Sequence, residues 1–235
     1  MNDLWMRDTG PAFVINEEGQ KSAVNFNFNG WGEDQAYELD SKVAGFVAQQ
    51  AGVQSIRSNL ILEGGCFEVD GQGTAIMTES CIINDNRNPG WHKQDIEAEL
   101  KELLGLDKII WLKGIKGRDI TDGHTDFYAR FAKPSVVVVS RDIDKDSYDY
   151  QRCEAMIKLF GLGYVHKDIH PDEETKNLRV DVLIAHYETF IQLAQAIDAK
   201  DEKSFFLILQ DQNRKEELEK YGFFQFLSKK QFFIC

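Results

Sequence analysis

Apolar and polar positions follow two different periods along this chain. Ala12–Ile15 is a short apolar run. In Ala23–Phe28 the apolar residues Val24, Phe26 and Phe28 fall two apart, as in a half-buried strand. Over Asp34–Gln50 the spacing lengthens. Leu39, Val43, Phe46 and Val47 form one stripe of an amphipathic helix, with Gly52 as its stop. Strand-like segments follow at Asn59–Leu62, Cys66–Val69 and Thr74–Thr78, punctuated by Gly64-Gly65 and Asp70-Gly71. A second helix is predicted at Asp95–Leu104, with Ile96, Leu100, Leu103 and Leu104 on one face, and a strand at Lys108–Leu112. His124–Phe131 and Ser135–Ser140 read as a further strand pair. Tyr150–Phe160 reads as a helix with Cys153, Met156, Ile157 and Phe160 on one side. The order strand–strand–helix–strand therefore recurs, which predicts an α/β repeat architecture. Such repeats can close around an axis and bring their loops to a shared centre.

Beyond residue 166 the pattern changes. Arg179–Ile197 is predicted helical, with Val182, His186, Phe190, Leu193 and Ile197 on one side. Ser204–Leu209 suits a strand, and Asn213–Tyr221 a charged helix capped by Asn213. Phe223–Cys235 is aromatic and basic and reads as a tail. The predicted organisation is one α/β region over 1–166, a diverged remainder over 167–222, and the tail over 223–235.

Composition narrows the function classes. With 235 residues, 43% hydrophobic and 28% charged, the chain is an ordinary globular one. The net charge of −12 disfavours nucleic acid and anionic membranes as partners and suits a small cationic ligand. No stretch has the length of a membrane span. Cys66, Cys81, Cys153 and Cys235 are scattered without CxxC spacing, which favours free thiols in a reducing, cytoplasmic compartment over a zinc site. Whether subunits associate is left open.

Three stretches carry candidate chemistry. Trp5 to Pro11 sets an aromatic ring and the Asp8 carboxylate beside a Gly-Pro turn. Glu63-Gly64-Gly65 pairs a carboxylate with glycines that let backbone approach a ligand. Thr121–Phe131, TDGHTDFYARF, begins as a turn and continues as a strand, so His124 and Asp126 face the same way. An imidazole and a carboxylate on one face can move a proton and fix a cation; a histidine salt-bridged at a turn gives the same triplet. The polar loop Asn84–Pro89 reads as structural, and the second glycine cluster, Gly71 to Gly73, as a hairpin turn. Carboxylates from separate loops with a Trp and a His suit a planar guanidinium. A metal site on His124, Asp126 and Asp122 is a competing arrangement.

The segments NDLWMRDTGP, EGGCFEVDGQGT and TDGHTDFYARF, in that order, resemble the agmatine deiminase / peptidylarginine deiminase family of guanidine-modifying enzymes. The resemblance implies a pseudo-fivefold α/β propeller and hydrolysis of a guanidine to a ureido group and ammonia, with no metal or organic cofactor. Agmatine is the implied substrate and N-carbamoylputrescine the product, a step toward polyamines; peptidylarginine is the alternative substrate. It further implies that Asp8 and Asp126 grip the guanidinium, that Trp5 lines the pocket, that Glu63 is a second pocket carboxylate, and that His124 is the general acid/base. The family's nucleophile is a cysteine in a Gly-rich segment of the form GGGNIHC, which does not occur here. Cys235, ending FFIC, is the candidate in its place. Cys81 and Cys153 read as small core residues. The family also carries a segment ahead of NDLWMRD. The expectation is therefore a propeller cut at both ends, with roughly three of its five units legible. A catalytically inactive relative that keeps the guanidinium pocket is the alternative.

Overall fold

The computed structural model describes residues 1–134, 136–142, 144–161 and 181–186. They contain three three-stranded sheets of identical construction. In the first, β1 (Ala12–Ile15) pairs antiparallel with β2 (Lys21–Asn25). The helix α1 (Val43–Ala51) then crosses over, and β3 (Gln54–Arg57) returns parallel to β2. In the second, β4 (Phe67–Val69) and β5 (Thr74–Thr78) form the hairpin. After α2 (Lys93–Leu104) comes β6 (Lys108–Leu112), parallel to β5. The third has β7 (Ala129–Lys133) and β8 (Val136–Arg141) antiparallel, then α3 (Tyr148–Gly161) and β9 (Asp181–His186) parallel to β8. The repeat read from the sequence is thus present three times. It falls in two compact units, Met1–Phe127 with the first two sheets and Tyr128–Cys235 with the third.

In the first unit, Val24, Leu60, Leu62, Cys66, Ala75, Met77, Ile82, Ile96, Leu100 and Ile109 form a single buried core. Two neighbouring sheets share it, because each contributes one apolar face. α2 supplies Ile96 and Leu100, four apart and fully buried, as its period predicts. Gly52 and Gly105 end α1 and α2 in the left-handed conformation, where a Cβ would be strained. In the second unit, Val136–Val139 are all buried; a strand covered on both faces reads as a continuous apolar run.

Several predicted boundaries move. The first helix is shorter than Asp34–Gln50: it starts at Val43 after a 3-10 turn, Asp40–Lys42. Its buried face is Val43, Ala44 and Ala48, whereas Leu39 and Phe46 are exposed at 50% and 60%. Asn59–Leu62 is a bent connection, not a strand. Leu60 and Leu62 are buried, but the backbone carbonyls of Ser58 and Leu60 accept from the Asn27 side chain. Cys81 lies on a helical turn, Glu79–Ile82. Within the predicted helix Arg179–Ile197, Asp181–His186 is a strand; a short apolar run does not distinguish the two by period. The remainder of that segment, Ser204–Leu209, Asn213–Tyr221 and the tail lie outside the described residues. No helix among the described residues is long and apolar enough to cross a membrane.

Leu100→Ala is expected to cost about 2–5 kcal/mol through the cavity it leaves. Phe46→Ala should stay within about 0.5 kcal/mol. Urea unfolding of both variants checks the difference.

Candidate active site

The chemistry-bearing residues of the first unit gather where four loops meet. The helical turn Met6–Thr9 carries Asp8. The 3-10 turn Gly64–Cys66 follows Glu63, and Glu79–Ile82 carries Cys81. The turn Thr121–Gly123 leads into His124 and the 3-10 turn Thr125–Phe127.

Glu63 is at the centre and has no solvent exposure. Arg87 Nε donates to both of its oxygens, at 2.9 and 3.0 Å, and Cys66 Sγ donates to Oε2 at 3.0 Å. His124 Nε2 lies 3.1 Å from the same Oε2. Burial alone would raise the Glu63 carboxyl, but the His124 hydrogen bond and the Arg87 charge hold it at about 2. Arg87 is itself fully buried. Its Nη1 donates to Asp122 Oδ2 at 2.9 Å and its Nη2 to the Thr121 carbonyl at 3.2 Å. Asp122 also accepts from the Asn84 and Asn86 side chains, both at 3.0 Å, and from the Gly117 N–H at 2.7 Å. The loop Asn84–Pro89, read from sequence as structural only, therefore supplies the cation at the heart of the cluster.

His124 is 2% exposed. Its Nδ1 faces Asp8 Oδ1 at 3.7 Å and Asp126 Oδ1 at 4.0 Å. Burial pushes the ring toward neutrality, but its contacts with Cys66, Glu63 and Asp8 reverse this and keep it protonated well above its usual range. The predicted strand at His124 is replaced by a tight turn. Asp122 and Gly123 have positive φ, Thr121 Oγ1 accepts the His124 N–H at 3.0 Å, and the strand starts only at Ala129. The turn still puts Asp126 on the His124 side, by folding back rather than by alternation.

Asp8 is held by the Gly65 N–H on Oδ1 and by Trp31 Nε1 on Oδ2, each at 3.0 Å. That uses two of the roughly four acceptor positions of a carboxylate. A Cβ at Gly65 would collide with His124 Nδ1 and Asp8 Oδ1, so only glycine lets this turn carry its N–H to Asp8. Arg7 Nε lies 3.7 Å from Asp126 Oδ2; both side chains are partly exposed and mark the open side of the cluster. Trp5, 56% exposed, enters the turn that carries Asp8.

The structure thus brings Asp8, Glu63, His124 and Asp126 together, with Trp5 at the surface nearby. Asp122 is drawn to Arg87, so the metal arrangement of His124, Asp126 and Asp122 is not assembled. Sequence reasoning missed Arg87 and Trp31. Their signals were an arginine inside an Asn-rich, Pro-ended loop and a tryptophan between two glycines. It also missed that Cys66 and Cys81, scattered in sequence, meet with Sγ atoms 2.7 Å apart. Cys66, Cys81 and Cys153 are all buried. Burial raises each thiol, that of Cys153 to about 11. Cys235 lies outside the described residues.

A buried carboxylate bonded to an imidazole, with two further carboxylates facing that ring, is a site built to hold a cation and move a proton. The family described as Porphyromonas-type peptidyl-arginine deiminase matches residues 1–161, and the chain belongs to it. The agmatine deiminase of Pseudomonas syringae pv. tomato is 40% identical over 164 residues, covering 67% of this chain and 45% of that protein. That of Medicago truncatula is 41% identical over 173 residues, 68% of this chain and 46% of the relative. Among solved structures, the agmatine deiminase of Enterococcus faecalis superposes with a TM-score of 0.68 at 34% identity, over 79% of this chain and 50% of that one. The agmatine deiminase of C. jejuni, solved with substrate bound, gives 0.65 at 31% identity, over 79% and 52%. The chain spans about half the length of the curated relatives it matches.

Arg87→Met should destabilise the protein by about 3–5 kcal/mol, because it removes the buried guanidinium that pairs both the Glu63 and the Asp122 carboxylates. Arg7→Ala, at the exposed rim, should cost at most about 1 kcal/mol. Denaturant titration of the two variants tests this.

Proposed function

We propose that this chain carries the guanidinium-binding and acid/base part of a deiminase. It would act on agmatine to give N-carbamoylputrescine and ammonia. The observation that carries the reading is the convergence of Asp8, Asp126 and Glu63 on both nitrogens of His124. The chain is about 40% identical to agmatine deiminases over about two thirds of its length. The three ββαβ units are, on this reading, units of a pseudo-fivefold α/β propeller.

The roles follow from where charge must go. A guanidinium is planar, with donors in a fixed fork, and carboxylates on either side orient it. Asp8 and Asp126 are placed to do this, and Trp5 lines the entrance. Attack of a thiolate on the central carbon forms a tetrahedral adduct. Its collapse expels ammonia, which needs a proton at the leaving nitrogen. His124, held protonated, supplies that proton and then takes one from the water that releases the ureido product. Glu63 does not grip substrate on this account. With its oxygens engaged by Arg87, His124 and Cys66, it orients the imidazole.

Among the described residues Cys66, Cys81 and Cys153 are all buried, and Cys235 is the candidate for the nucleophilic role. The same observation favours a second reading, guanidinium binding without turnover. Calorimetry with agmatine and an ammonia-release assay on the 235-residue chain separate the two. Agmatine should bind, and Asp8→Asn or Asp126→Asn should weaken it roughly tenfold or more, the worth of one charge-assisted hydrogen bond. His124→Asn should remove turnover while leaving most of the affinity. Cys235→Ser should abolish turnover if this thiol is the nucleophile. Binding unchanged in both aspartate variants contradicts the assignment.

A further inference from the structure

We propose that Glu63, Cys66, Cys81 and His124 form a binding site for a borderline-soft divalent cation of the zinc type. The four residues offer one donor atom each, and these atoms all lie within 4.8 Å of one another. All four side chains are buried. Around Glu63 Oε2, Cys66 Sγ is at 3.0 Å, His124 Nε2 at 3.1 Å and Cys81 Sγ at 3.7 Å. A tetrahedral zinc with bonds of about 2.0–2.3 Å sets its donors roughly 3.3–3.8 Å apart. Three of these separations are therefore near the required edge lengths. The two sulfurs, 2.7 Å apart, must part by about 1 Å, as a cation inserted between them would make them do.

The donor set chooses the ion. Two sulfurs, an imidazole nitrogen and one carboxylate oxygen suit zinc or cobalt(II) and do not suit magnesium or calcium, which take oxygen. The surroundings are those of a prepared site. Glu63 is fixed by Arg87 from behind, and His124 Nδ1 faces Asp8 Oδ1 at 3.7 Å, the side from which a carboxylate orients a metal-bound imidazole. Binding balances simply. Two S–H bonds break and His124 gives up its Nε2 proton. The three protons go to solvent, and two metal–sulfur, one metal–nitrogen and one metal–oxygen bonds form. The two thiolates cancel the charge of the cation, and Arg87 still offsets Glu63.

The site stands whether or not the chain is a deiminase. If it is, a cation on Nε2 keeps His124 from becoming the doubly protonated imidazolium that ammonia release uses, even though Nδ1 still faces Asp8 and Asp126, so metal and guanidine turnover exclude each other.

The test uses the metal alone on the reduced, metal-stripped 235-residue chain. Cobalt(II) titration should show one ion per chain, with thiolate-to-cobalt charge-transfer absorption and the visible bands of a tetrahedral site. Zinc should bleach both. Cys66→Ser and Cys81→Ser, read separately and checked for fold by circular dichroism, should each cut the charge-transfer intensity by about half, one of two sulfurs being lost. One folded variant is enough to decide. Cys153→Ser should leave the spectrum unchanged. Lack of stoichiometric uptake overturns the proposal, as does uptake indifferent to both substitutions. A Cys66–Cys81 disulfide found by peptide mapping, in a protein that takes up no metal once reduced, overturns it in favour of a redox pair.

Discussion

A guanidinium with no solvent exposure, Arg87, sits between two carboxylates, and the site depends on it. Taking Arg87, Glu63 and Asp122 out of water is costly, and such a cluster persists only when every partner is in place. Here they are. Arg87 satisfies Glu63 and Asp122, the side chains of Asn84 and Asn86 satisfy Asp122, and the Asn86 side-chain oxygen and the Thr121 carbonyl accept from two further N–H groups of Arg87. The consequence travels outward. Glu63, kept ionised, fixes one nitrogen of His124, and the other nitrogen is left facing Asp8 and Asp126. The strands supply a frame for this arrangement, and the loops between them supply every charged group in it.

Backbone geometry supports the same end. Gly65 brings its N–H to Asp8 at a distance that no side chain would allow. The positive φ of Asp122 and Gly123 turns the chain so that His124 points inward and Asp126 folds back beside it. Trp31, between Gly30 and Gly32 and stacked edge-on against Phe28, completes the hold on Asp8. These are local strains accepted where the site is built, while the core of Leu60, Ile96 and Leu100 keeps to ordinary packing.

Much of the frame was legible from the sequence. The period of Ile96 and Leu100 located α2, and the hairpin-then-helix order of each sheet followed from the spacing of such segments. The closing strands of the first and third sheets did not, since Gln54–Arg57 was not read as a strand and Asp181–His186 was read as helix; Phe26 and Phe28 lie past the end of β2. The site was legible where short motifs carried it: Asp8, Glu63, His124 and Asp126. What escaped was long-range. Arg87 lies in a loop with no periodicity, and its importance comes from Glu63 and Asp122, far off in sequence. Phe46 and Leu39 fitted a helical stripe yet stay exposed: Leu39 precedes the helix, and the face that packs is Val43, Ala44 and Ala48. Cys66 and Cys81 meet only once two turns from different elements have been folded together.

The central claim is that Arg87 acts on the site through Glu63. A double-mutant cycle between them tests it most directly, with Arg87→Met, Glu63→Gln and the pair compared by urea unfolding. Each single variant should be severely destabilised, and the double variant far more stable than the sum of the losses. The coupling should be on the order of 1–3 kcal/mol or more. Additive losses would mean that the two groups are held independently, and would contradict it.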